Sequence, residues 1–494
     1  MASTAILAVS QIIIANMLGD ERLGEYAVVL IPYGIVILVQ DLGISAGLTS
    51  SIARHQHQGI DEKQTLTSGL FFNLLVSVIV TTAVFIGSPL LAANFLHRPE
   101  LEVHLRVASL AILGYALFHT TNSIFNGYGK MKLNSLNTIV MSVSRALISP
   151  ILVFVGLGTM GAVAGHSLSY LLAGCVGILQ VLLLVRSKDL KVDFSSMVKE
   201  LRYLIRYGLP IYISILLNGG LNQFYNSLLA VYVMTALIGN YTAAGNFTIL
   251  VYFITGPISV AIFPLFSKLR RGDENLGKSF QSAIKYSSVL ALPIAGALIA
   301  LSDQVIGVLY GGKFPMASTY LRLLMLSNYS IGLGTVVTGN LLNGQGETRI
   351  NLWCALLTLL TGGSLALILV PSLGVIGMLL AMIVAQIPAI SYALFWVKKN
   401  LDISLDWKAA VKIFSSVTLS TAMTYLFQLT QTNIWIQLLV GGAIYVASYA
   451  ISIRAFEALN RVDYEMFKAI VGDRGPLSRI INRLIDFMIS NTYH

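Results

Sequence analysis

The side chains of this 494-residue chain that promise chemistry are polar groups set inside long apolar runs. Arg145 lies twelve residues beyond Leu133 in such a run, roughly 18 Å along a helix and so near its middle. Asn134, Thr138, Met141, Ser142 and Ser149 recur with it at helical spacing, a stripe that predicts one wet face. A guanidinium there offers a fixed fork of donors to phosphate or carboxylate oxygens, or else forms an ion pair with an acid on a neighbouring helix. Asp41, followed by Leu42 and Gly43 in another apolar run, is the obvious acid. It is expected to neutralise Arg145 or pack helices, with a proton or cation site as the alternative.

A second stripe comprises Ser214, Asn218, Asn222, Tyr225 and Asn226, at steps of three or four. Amides and a phenol in that pattern can hydrogen-bond sugar hydroxyls without burying charge. They can instead join helices, at about 0.6 kcal/mol per bond; five on one face favour a lumen. Other polar residues carry less. His55 and His57 have metal-pair spacing beside Arg54 in a polar loop, while His119 and His166 read as hydrogen-bonded core histidines. Asn240 and Asn246 fit the N-x-S/T pattern but fall at or inside the membrane edge, and Cys175 and Cys354 sit inside apolar runs as small apolar residues. There is no GxxxxGK[ST] phosphate cradle, so the sequence calls for no catalytic residue, cofactor or metal site.

The elements that must position these groups are membrane helices. Hydrophobic residues make up 56% of the chain and charged ones 11%, with a mean hydropathy of +0.77, which excludes a soluble globular domain. At about 20 residues per crossing, the pattern predicts an all-α, polytopic membrane protein of fourteen transmembrane helices, grouped six, six and two. The start shows no cleavable signal pattern, so the first span reads as a retained anchor. The predicted organisation is an N-terminal six-helix lobe over 1–185, a cytoplasmic amphipathic linker over 186–206, a second six-helix lobe over 207–397, two extra helices over 398–454 and an amphipathic tail over 455–494.

Two of those lobes are related by an internal repeat. Asn126, Gly127, Gly129 and later Gly158 and Gly161 recur as Asn343, Gly344, Gly346, Gly374 and Gly377, at offsets of 216 and 217 residues. A period that long means two related halves packed together, with a site between them expected. Of the 32 Lys and Arg, 26 fall in alternate connections, five in the others, and Arg145 within a span. That asymmetry puts both termini in the cytoplasm. The net charge of +10 is thus a topology signal with some attraction to anionic lipid, and nucleic acid is not a partner.

Several short passages in order resemble one family. They are Leu18 and Gly19 with Gly24, Glu25 and Tyr26; Asp41, Leu42, Gly43 and then Arg54; Asn126 to Lys130; and Gly311, Gly312, Lys313, Phe314 with Leu321 to Leu324. Together they resemble the polysaccharide flippase branch of the multidrug/oligosaccharidyl-lipid/polysaccharide transporter superfamily. The resemblance implies two lobes around a cavity, alternating access, and movement of an isoprenoid-linked oligosaccharide from the cytoplasmic to the outer leaflet of the cell membrane. It also implies a cationic cavity suited to the lipid diphosphate, a role that falls on Arg145. The expected partners are the lipid-linked glycan, membrane lipids and glycan-assembly proteins, with the chain itself a monomer. Two other functions compete. A cation-coupled drug exporter of the same architecture would need cavity acids, and only Asp41 offers one. A membrane glycosyltransferase, using Asp20 and Glu21 to hold a metal, lacks any large outward domain.

Overall fold

The structure is a computed structural model and describes residues 2–58, 62–185, 194–430, 433–461, 463–465 and 468, without the side chains of 194–196, 210, 211, 214 and 218. Among the described residues there is no strand. Sixteen α-helices follow in order: α1 (Ala2–Gln40), α2 (Ile44–Gln58), α3 (Lys63–Leu90), α4 (Glu102–Gly127), α5 (Met131–Leu152), α6 (Gly158–Val185), α7 (Phe194–Tyr232), α8 (Thr235–Gly245), α9 (Thr248–Lys268), α10 (Glu274–Ala300), α11 (Ser302–Tyr310), α12 (Ala317–Ser327), α13 (Thr335–Gly344), α14 (Thr348–Leu401), α15 (Trp407–Gln428) and α16 (Ile434–Ala455).

Nine helical runs among the described residues are long and apolar enough to cross a membrane, which makes this a multi-pass membrane protein. Fourteen separate spans are not resolved, and the reason is local. Three runs are of double length, Ala2–Gln40 at 39 residues, Met131–Val185 at 55 and Thr348–Leu401 at 54. Each is broken by glycine, at Gly19, at Gly156 and Gly158, and at Gly374. Gly158 (φ 52°, ψ −131°) and Gly374 (φ 58°, ψ −131°) share one backbone conformation that a side chain resists. After the breaks at Gly158 and Gly374 the chain doubles back. A Cβ on Gly161 would lie 2.7 Å from the Leu152 carbonyl carbon, and one on Gly377 would lie 2.2 Å from the Leu369 oxygen. In a straight helix those partners would be more than about 10 Å apart.

The repeat is visible in hydrogen bonds as well. The Lys130 amide donates to Phe125 O at 2.8 Å and the Glu347 amide to Leu342 O at 2.7 Å, the six-residue closure of a helix end. Across each of those turns an asparagine bridges the two helices, Asn134 donating to the side-chain oxygen of Asn126 and Asn351 to that of Asn343.

Two further expected spans are interrupted. The second, over 26–51, breaks at 41–43, where Leu42 (φ 48°) and Gly43 (φ 82°) are left-handed. The tenth, over 320–342, divides into α12, a 3-10 turn over Asn328–Leu333 and α13, with Gly334 left-handed at the joint. The linker also differs. Its described part, 194–206, is the beginning of α7 rather than a separate helix. Met197 and Leu204 of that part are buried, and Leu204 joins Ile44, Leu48 and Ile52 of α2 in a core with Leu66, Phe125 and Val181. The apolar residues Met197 and Leu204 of this amphipathic stretch are therefore covered by protein. Residues 186–193 and the tail's Leu477, Ile480, Ile481, Leu484 and Met488 lie outside the described residues.

The chain forms two compact units, Met1–Ile249 with Leu309–Tyr320 and Leu352–Ala389, and Leu250–Val308 with Leu321–Asn351 and Ile390–His494. These boundaries do not follow the predicted lobes, because α7, α8 and most of α14 cluster with the first six helices. In the first unit, the 309–320 segment is tied down by asparagines. Asn16 donates to Leu309 O at 2.6 Å, and Asn240 accepts from the Met316 amide at 2.8 Å. In the second unit Lys285 of α10 pairs with the buried Asp463, which also accepts from Tyr286 at 2.8 Å.

Candidate functional site

Arg145 is placed by α5 against α1 and α6 inside the first unit. Its Nη2 donates to the Tyr26 hydroxyl at 2.8 Å, and that hydroxyl lies 3.2 Å from His166 Nδ1. The residue is partly exposed, while its Nε is sealed from solvent and unpartnered, as are the Tyr33 hydroxyl and His166 Nε2. The rings of Tyr33, Tyr170 and His166 meet edge-on or tilted at centroid distances of 5.2 to 6.4 Å, and Tyr115 and Phe118 extend the same cluster. One cation thus faces several phenols and a buried imidazole. The donor set exceeds the acceptors present, which is the polarity a phosphate or carboxylate oxygen would satisfy.

This aromatic cluster was not anticipated from the sequence, although its spacing was legible. Tyr26 and Tyr33 are seven apart, His166 and Tyr170 four apart, and Tyr115 and His119 four apart, each pair on one helix face.

The expected ion pair between Arg145 and Asp41 is not formed. Asp41 accepts instead from the hydroxyl and the backbone amide of Ser45, four residues on, so it caps the first turn of α2. It lines a cavity of about 290 Å³ with Ser45, Thr49, Tyr115, His119 and Tyr212. Geometry explains the separation: the break at 41–43 turns Asp41 toward α2, whereas Tyr26 sits earlier on α1 and reaches α5.

The remaining predicted stripes divide. On α5, Asn134 is used by Asn126, and Ser142 is fully buried and donates to Thr138 O at 2.7 Å. Hydroxyls that bond back four residues satisfy themselves and leave a packing face, so the expected wet face of α5 narrows to Arg145. On α7, Asn222 is exposed and Asn226 partly so. Tyr225 is buried at 3% exposure, and a Cβ on Gly362 of α14 would lie 2.1 Å from its hydroxyl. On a helix Tyr225 lies about 60° to one side of Asn222 and Asn226 about 40° to the other, so one edge of that stripe packs while the other stays open. The side chains of Ser214 and Asn218 lie outside the described residues. His166 is buried as predicted, though only one of its nitrogens is partnered.

Paired, glycine-broken helical hairpins, an interrupted crossing beside a polar cavity and a cation deep in a helical unit define a membrane transporter of the superfamily named above. Its fold is that of "Lipid II flippase MurJ, inward closed conformation", with a TM-score of 0.77 at 17% identity, covering 92% of this chain and 97% of that one. The chain belongs to the polysaccharide biosynthesis protein family, whose model matches residues 13–319. It is similar to a candidate O-antigen transporter of Shigella dysenteriae, 21% identical over 335 residues, 68% of this chain and 81% of the relative. It is also similar to the succinoglycan biosynthesis transport protein ExoT of Rhizobium meliloti, 25% identical over 357 residues, 70% of this chain and 67% of the relative.

Proposed function

We propose that this protein flips an isoprenoid-linked, diphosphate-bearing oligosaccharide from the cytoplasmic to the outer leaflet of the cell membrane, by alternating access, and that it does so without catalysing a covalent step. The observation that carries the assignment is the Arg145 guanidinium of a partly exposed residue, held by Tyr26 through Nη2 and with its buried Nε unpartnered. A diphosphate supplies the oxygens that this donor-rich group lacks. In this account Asp41 is a second polar wall of the path rather than the neutralising partner, and the open edge of α7 at Asn222 and Asn226 meets sugar hydroxyls. Asn134, Ser142 and Tyr225 support those helices from behind. Two repeated halves of six helices move against one another, both termini lie in the cytoplasm, and the chain acts as a monomer beside the proteins that assemble the glycan. The names of the relatives, an O-antigen transporter and a succinoglycan transport protein, support this substrate class.

The test is reconstitution. Purified protein in vesicles carrying a fluorescent polyprenyl-diphosphate oligosaccharide is expected to expose the inner-leaflet label to an external quencher, while protein-free vesicles do not. Equal quenching in both would remove the assignment.

A further inference from the structure

The cavity beside the break in the second crossing is lined by an ordered chain of three groups, of which the flipping account gives a role only to Asp41. His119 Nδ1 lies 3.0 Å from Ser45 Oγ, and Ser45 Oγ donates to Asp41 Oδ1. Donor arithmetic fixes the direction. An ionised carboxylate only accepts, and a serine hydroxyl carries one hydrogen, so Ser45 gives its proton to Asp41 and must accept from His119 Nδ1–H.

We infer that Asp41, Ser45 and His119 form a proton-binding relay on the wall of this cavity, so that the ligand of the site is a proton. A proton arriving from the cavity binds His119 Nε2. The Nδ1 proton passes to Ser45 Oγ as the serine proton passes to Asp41, leaving a neutral acid and the other neutral imidazole tautomer. No other reactant is required; the chain is restored when Asp41 releases its proton to the cavity, the hydroxyl rotates and the imidazole returns to its Nδ1–H tautomer.

Three features of the surroundings suit this role. Tyr115 stacks on His119 at 5.5 Å and 16°, holding the ring in line. Asp41 caps the first turn of α2 through the Ser45 amide, so its charge state bears directly on the start of that helix. The connection it occupies is strained: Leu42 is left-handed without being glycine, and a Cβ on Gly208 of α7 would lie 1.9 Å from Gly43 O. Protonation therefore acts on a break that is already under constraint and tightly packed. Of the groups facing the relay, α4 brings Tyr115 besides His119, α7 brings Tyr212, which donates to Val39 O at 3.2 Å, and α3 brings uncharged Asn73 and Ser77. Among the described residues no Lys or Arg lines either cavity wall.

Coupling of protons to transport rests on the flippase account, but binding of the proton does not, and the experiment reads binding alone. Infrared difference spectra of the reconstituted full-length protein, titrated with acid at fixed sodium, are expected to show a protonated-carboxyl band that Asp41→Asn removes. Asparagine is as good a helix cap as aspartate, so that variant keeps the turn. Ser45→Ala and His119→Gln are expected to keep the band and shift its midpoint. A band unchanged by Asp41→Asn, a midpoint unmoved in both relay variants, or a band that answers to sodium at constant pH rather than to acid would each overturn the assignment.

Discussion

The Arg145 side chain donates to the Tyr26 hydroxyl at 2.8 Å across the α1–α5 contact, and the same hydroxyl sits 3.2 Å from His166 Nδ1. Tyr26 therefore orients the cation and separates it from the imidazole. In Tyr26→Phe the guanidinium loses its hydrogen-bond partner among the described residues, and a buried polar group left unsatisfied costs about 1–3 kcal/mol. The expected outcome is slower glycan flipping with the protein still inserted and monodisperse, measured by quenching in vesicles and by size-exclusion elution. Full activity in Tyr26→Phe would show that the hydroxyl does not position Arg145.

Gly158 and Gly374 carry the same backbone conformation at equivalent places in the two halves. Neither site is crowded, since the nearest atoms to an added Cβ are Arg22 Nη1 at 3.4 Å and Val233 Cγ2 at 3.7 Å. Alanine there would pay in backbone strain, about 1–3 kcal/mol at each position. Thermal unfolding in detergent is expected to drop by several degrees for Gly158→Ala and for Gly374→Ala. Alanine at Gly87, a helical position with nothing near its Cβ, is the control expected to leave the transition in place.

Lys285 and Asp463 form an ion pair with side chains 17% and 6% exposed. Removing one partner of such a pair strands the other and costs about 3–5 kcal/mol, whereas replacing both can be nearly neutral. Asp463→Asn and Lys285→Met are each expected to destabilise, and the double variant to recover part of the loss. Additive single effects in that cycle would mean the pair does not couple α10 to the C-terminal segment.

The fold class, the internal repeat and the presence of a deep cation were all legible in the sequence, since hydropathy sets crossings and glycine pairs mark the turns. The chemistry of Asp41 was less so. An acid inside an apolar run looks like a counter-ion for the nearest arginine, and only the left-handed turn at Leu42 and Gly43 reveals that it caps its own next helix. The serines and threonines of α5 misled in a different way, because a hydroxyl bonded to the carbonyl four residues back reads as a wet face until its burial is known. Tyr225 fell on the packed edge of a stripe whose open edge carries Asn222.

The bond from Asn134 to Asn126 and its counterpart from Asn351 to Asn343 are the same interaction in two copies of one turn. Interhelical bonds of this kind average about 0.6 kcal/mol in membranes. Asn134→Ala and Asn351→Ala are each expected to lower the unfolding temperature slightly and by similar amounts. A large loss from one and none from the other would mean that the two turns are not equivalent.

The most direct test of the account is the rate at which vesicles containing wild-type protein, Arg145→Ala or Arg145→Lys flip a fluorescent polyprenyl-diphosphate oligosaccharide. Lysine keeps the charge but not the fork of donors, so the account predicts no flipping above background for alanine and partial flipping for lysine, with equal insertion of all three. Wild-type rates in the alanine protein would contradict it.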